Sequence, residues 1–128
     1  IKKQRMNHDL IWNKIKKIPG VRRRLYPKGS QITADALIIF VKNNIKALKC
    51  RKELLKLGTS TKILPEAYSW HFAGLWSHIK ELNNKKNVKR SLKKTEKLLK
   101  TAVSIPIFVK MKKNQISNIY KGISKALK

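Results

Sequence analysis

The spacing of apolar residues predicts an all-α chain, a single five-helix bundle over residues 1–128 arranged around a long central helix at about 32–57. Three observations carry that expectation. Ile and Leu recur every three or four positions through most of the chain, no two alternating runs are joined by a hairpin turn, and 128 residues with 41% hydrophobic content suffice for one core.

The first helix is expected from Asn7 to Ile18, with Leu10, Ile11, Ile15 and Ile18 on one side and Pro19-Gly20 as its stop. A basic linker, Val21 to Gly29, follows. The central helix rests on Ala34, Ile38, Val41, Ile45, Leu48 and Leu55, with Ser30 or Thr33 as a cap and Gly58 as the C-terminal stop. Residues 36–41 (Ala-Leu-Ile-Ile-Phe-Val) are apolar all round, which predicts neighbours on every side.

Pro65 and Glu66 suit the first turn of a third helix carrying Tyr68, Phe72, Leu75, Ile79 and Leu82, with Trp70 and Trp76 off that stripe. A fourth helix is expected to turn Val88, Leu92, Leu98, Leu99 and Ala102 inward until Pro106 interrupts it. The last reads Ile116, Ile119, Tyr120, Ile123 and Leu127. Cys50, the single cysteine, sits in an apolar helical pattern and is expected to be a buried small hydrophobe.

Charge is the other dominant feature. Thirty-two Lys and Arg against six acids give a formal net charge of +26, which calls for a polyanionic partner or surface. Lys outnumbers Arg by 26 to 6, and a hydrated point charge suits a diffuse anionic surface better than base-by-base reading. No apolar run is long enough to span a bilayer. A start at Ile1 rather than Met fits a removed targeting segment and fits a shortened chain equally.

Catalysis is not expected from the residues. The six acids Asp9, Asp35, Glu53, Glu66, Glu81 and Glu96 stand singly, whereas acid–base work needs paired groups in a cleft. His71 and His78 are seven apart, the wrong spacing for a metal on a helix. The five glycines are isolated, so there is no phosphate loop. The sequence therefore predicts no enzyme, no cofactor, no metal and no small-molecule substrate.

The expected binding surface is instead Arg22, Arg23 and Arg24, the lysine-rich stretch Lys85, Lys86, Lys89, Arg90, Lys93, Lys94, Lys97 and Lys100, and Lys110, Lys112 and Lys113. Residues 101–109 place Ile105, Ile107, Phe108 and Val109 between two basic stretches, a pattern of membrane-interface elements to which Trp70 and Trp76 could add. The same segment also reads as an inter-helix turn buried in the core.

The run Gly20 to Leu25, then Gly29-Ser30-Gln31-Ile32-Thr33, then Phe40-Val41-Lys42-Asn43 and Leu57-Gly58-Thr59, resembles the abalone sperm lysin family over residues 8–82. That resemblance implies a five-helix acrosomal protein, secreted and non-enzymatic. Its lysine content and divergent last 40 residues resemble the fusion-type fertilisation paralogue more than lysin. The implied partners are an anionic lipid membrane, with promotion of sperm–egg membrane fusion, or an egg-surface glycoprotein, with lysin-type dissolution of the egg envelope. Nucleic-acid binding is the rival: residues 32–72 can be laid on a histone fold, and a ribosomal protein of an organelle would also carry this charge.

Overall fold

The computed structural model describes residues 1–83 and 88–128, and it contains a sheet, which overturns the expected all-α bundle. Helix α1 (Lys2–Ile15) leads to β1 (Arg22–Arg23), β2 (Ala36–Phe40) and α2 (Asn44–Lys56). Short helices α3 (Tyr68–His71), α4 (Lys80–Asn83) and α5 (Val88–Ser91) precede α6 (Lys93–Lys100), β3 (Ala102–Pro106) and α7 (Lys113–Leu127). The three strands form one antiparallel sheet in the order β1-β2-β3, with Arg22 opposite Phe40 and Ile39 opposite Val103.

The expected central helix is a strand followed by a shorter helix. Residues 36–41 are apolar on both faces because Leu37 and Ile39 enter the core while Ile38 and Phe40, half-buried, form the other face, and β-branched Ile38, Ile39 and Val41 favour the pleated backbone. A short apolar run of this kind fits a buried strand as well as a buried helix. The helix begins only at Asn44, where the side chain of Asn43 accepts the amide of Lys46 at 2.9 Å. That restart changes the phase: Ile45, Leu48 and Leu55 face solvent, while Ala47, Cys50, Glu53 and Leu54 face inward.

Two more helices shift. The expected third helix breaks after His71, where Phe72 adopts extended backbone (φ −103°, ψ 101°) before a single 3-10 turn at Ala73–Leu75. The expected fourth helix stops at Lys100, and Ala102, placed at its inner end, instead opens β3. Only the last helix follows its expected stripe closely, with Ile116, Ile119 and Ile123 buried. In α1, Ile11 and Ile15 are buried as expected, while Leu10 is exposed.

One face of the sheet carries Leu37, Ile39, Val103 and Ile105, and these pack with Ile11 and Ile15 of α1, Leu54 of α2, and Ile119 and Ile123 of α7. Burying each such side chain stabilises the fold by roughly 1.5–3 kcal/mol. Helix α7 lies along α2 so closely that a Cβ on Gly122 would stand 3.2 Å from a Leu54 methyl. Glu53 ties the pair from the side, accepting Lys56 at 3.0 Å and Lys125 at 2.9 Å. Those hydrogen bonds hold its carboxyl below the usual glutamate range. Cys50 is buried as expected, and burial pushes its thiol pKa up to about 11.

The two outer edges of the sheet differ. At β3, Ser104 donates its amide to the Leu64 carbonyl at 3.0 Å and its carbonyl accepts Lys62 at 2.7 Å, so the segment Lys62–Leu64 seals that edge. At β1, Arg24 donates to Ile38 at 3.0 Å. The antiparallel alternation therefore points the amide of Arg23 away from β2, and no backbone partner meets it among the described residues.

Candidate functional site

A concavity of about 1000 Å³ lies between the end of α1, the β1 edge and α6. Ile38 and Phe40 of β2, with Leu98 and Leu99 of α6, make an apolar floor, and Lys16, Arg22, Arg23 and Arg24 stand around it. No carboxylate lines it among the described residues. The Arg23 guanidinium lies 5.3 Å from the Trp12 ring centroid and 5.9 Å from that of Tyr26, and Arg24 lies 6.0 Å from Tyr26. Stacking against ring faces holds these cations in place without neutralising them. Leu25 at the end of the run is 89% exposed.

A second hollow, about 540 Å³, is lined by Trp70, Leu75, Trp76, His78 and Ile79. Its shape comes from the broken third helix. A Cβ on Gly74 would meet the Phe72 ring at 2.5 Å, so only glycine lets the chain turn tightly beneath that buried ring, which leaves Leu75 exposed and Trp76 half-buried. Trp70 is 77% exposed, and the rings of Trp76 and His78 lie 6.5 Å apart. The shelf is anchored from behind, where Tyr68 stacks on Phe72 at 5.5 Å and donates to Glu96 at 3.1 Å. Lys100 donates to the same carboxylate at 2.6 Å, holding Glu96 below and Lys100 above their ordinary values.

Of the basic residues singled out in the sequence, Arg22, Arg23 and Arg24 line the groove. Arg90, Lys93, Lys94, Lys97, Lys110, Lys112 and Lys113 are exposed on other segments, and Lys100 is engaged with Glu96. Lys85 and Lys86 lie outside the described residues, as does the side chain of Lys89. Of the apolar set, Ile105 is wholly buried and Ile107 2% exposed, whereas Phe108 and Val109 are half exposed. Sequence reasoning missed Trp12, Lys16 and Tyr26. Tyr26, two residues beyond the arginine run, was the available signal for a stacked cation cluster.

The remaining acids are taken up elsewhere. Asp9 contacts His8 at 3.1 Å, Asp35 pairs with Lys62, Glu66 pairs with Arg51 and accepts Thr61, and Glu81 is exposed on α4. Among the described residues no three His, Cys, Asp or Glu side chains could hold a metal together.

The model of the DegT/DnrJ/EryC1/StrS aminotransferase family matches residues 1–124. Among solved structures, the sugar aminotransferase CalS13 from Micromonospora echinospora superposes with a TM-score of 0.67 at 14% identity, covering 97% of this chain and 30% of that one. The aminotransferase TlmJ from Streptoalloteichus hindustanus superposes with a TM-score of 0.69 at 10% identity, covering 99% and 31%. The chain thus spans about a third of the length of these structures. No curated protein matches it.

These findings overturn the lysin-family resemblance and the function drawn from it: a non-enzymatic fertilisation protein acting on anionic membranes or an egg-surface glycoprotein. They equally leave the nucleic-acid alternative without support, and they reverse the exclusion of an enzyme and of small-molecule substrates. The local fold agrees with them, since a three-stranded antiparallel sheet backed by helices over nearly the whole chain is shared with both structures. The chain belongs to the DegT/DnrJ/EryC1/StrS aminotransferase family.

Proposed function

We propose that these residues work as one part of an aminotransferase that moves an amino group from an amino-acid donor to a keto sugar. The donor leaves as its 2-oxo acid and the sugar carbonyl becomes an amine. The observation that carries this reading is the family match running from residue 1 to residue 124. The sugar half rests on the likeness to CalS13 and on the aromatic shelf, because the apolar C–H face of a sugar ring packs against indole. Trp70 and Trp76 would seat and orient the ring, and Leu75 and Ile79 would exclude water from its apolar side.

Amino transfer uses pyridoxal phosphate, whose aldehyde condenses with an amine and whose ring nitrogen needs a polar partner. The described residues do not fit that group. Asp35, Glu53, Glu66 and Glu96 are each paired with a Lys or Arg, Asp9 contacts His8, Glu81 is exposed, and the groove beside β1 gathers cations with no carboxylate among the described residues that line it. No catalytic step is therefore assigned to this chain. Its proposed part is binding and orientation.

The test is amino transfer by the protein expressed from its complete reading frame, supplied with pyridoxal phosphate, a panel of amino-acid donors and a panel of keto sugars. Amino sugar should appear by mass spectrometry together with 2-oxo acid. Trp70→Ala with Trp76→Ala should raise KM for the sugar about tenfold, the loss of roughly 1.4 kcal/mol of binding, and leave the donor half-reaction unchanged. Absence of amino sugar with every pair would defeat the reading.

A further inference from the structure

The β1 edge combines three features that the proposed reaction does not use. Among the described residues it presents an outward Arg23 amide without a backbone partner, an apolar hollow alongside it, and four cations with no carboxylate in the lining. We infer that this edge receives an extended, carboxylate-bearing segment of the aminotransferase polypeptide lying outside residues 1–128, which adds to the sheet beside β1.

An added strand draws affinity from main-chain hydrogen bonds and selectivity from its alternating side chains. Arg22 stands opposite Phe40 in the register and so shares its face of the sheet, and on that face the added strand would bring carboxylates to Lys16, Arg22 and Arg24 around the apolar floor of Phe40 and Leu98. Arg23 is already fixed over Trp12 and Tyr26, so little side-chain freedom is lost when the segment arrives.

Charge alone can guard an edge against unwanted pairing. A guard needs neither a hollow of about 1000 Å³ nor a Leu25 left 89% exposed. A second copy of the same surface is a poor occupant, because each copy carries +26 and would bring like cations together. The solved relatives are about three times as long as the matched region, which supplies the chain from which the segment can come. The inference rests on the aminotransferase reading to that extent.

Zero-length carbodiimide coupling on the protein expressed from its complete reading frame tests it, since the reagent joins Lys16 only to a carboxylate in direct contact. The expected product links Lys16 to an Asp or Glu outside residues 1–128, and Arg22→Gln with Arg24→Gln should reduce its yield at least fivefold. Coupling of Lys16 to an acid within residues 1–128, of the same or a second copy, overturns the inference, as does no coupling at all. Amino transfer measured on the same preparation separates the two readings. Activity without the link defeats the docked segment and leaves the enzyme standing; the link without activity supports the docked segment and defeats the enzyme.

Discussion

The two edges of the sheet are built from the same kind of backbone and finished in opposite ways. At β3 the Lys62–Leu64 segment satisfies the amide and carbonyl of Ser104, and Leu64 itself is 7% exposed. At β1 two residues suffice to pair with β2, and the outward amide of Arg23 meets cations and a hollow instead of chain. Buried backbone groups are almost always paired, so the sealed edge belongs to the core, whereas the open edge leaves the Arg23 amide to the segment inferred above. The large positive charge is thus not a uniform coat: at the groove it is organised by Trp12 and Tyr26 around an apolar floor.

The largest expected contrast is in side-chain truncation. Ile105→Ala on the sealed side removes a wholly buried side chain and should cost about 2–5 kcal/mol in denaturant unfolding. Leu25→Ala beside the open edge should change stability by less than about 0.5 kcal/mol. Equal losses at the two sites would erase the distinction.

Proline placed at the two outward amides probes the edges themselves. Ser104→Pro removes the donor to Leu64 and leaves that carbonyl unpaired, which should cost about 1–3 kcal/mol. Arg23→Pro removes an amide that bonds to nothing among the described residues, and should cost the isolated fold under about 1 kcal/mol. Thermal unfolding of both variants gives the answer.

Acid should loosen the helices behind the sheet before it disturbs the groove. The Glu53 carboxyl is depressed in the folded chain by Lys125 and Lys56, so its contribution is present above the ordinary glutamate value of about 4.3 and is lost as pH falls through the lower folded value. Glu53→Gln should flatten the decline of stability below about pH 4.3, whereas Arg22→Gln should leave it unchanged. A steeper decline in the Glu53 variant would contradict the assignment.

The smallest effect is chemical. The buried Cys50 thiol, pushed up to about 11, should resist alkylation at pH 8 in the native chain and react on unfolding. Fast native labelling would mean that the α2 side of the core is open.

Sequence legibility follows the same divide between elements that stand on their own pattern and elements defined by neighbours. Helix α7 was readable because Ile116, Ile119 and Ile123 keep helical spacing with polar residues between them. Strand β2 was not, because Leu37 and Ile39 face the core while Ile38 and Phe40, half-buried, face the groove, and a run apolar on both faces shows no alternation in the sequence. Strand β3 was hidden for the same reason, every residue from Ala102 to Pro106 being buried. Of the groove, the Arg22–Arg24 run was visible, but the Lys16, Phe40 and Leu98 that complete it come from segments far apart in the chain. The aminotransferase family left no compact local motif in these residues, so charge drew the functional reading toward membranes.

Amide hydrogen exchange at Ser104 and Arg23, in the protein expressed from its complete reading frame, tests the contrast most directly. The account predicts slow exchange at both: at Ser104 through Leu64, and at Arg23 through a strand from outside residues 1–128, with only the Arg23 protection lost when Arg22 and Arg24 are both changed to Glu. Fast exchange at Arg23 in the unaltered protein, or protection there that survives the charge reversal, would contradict it.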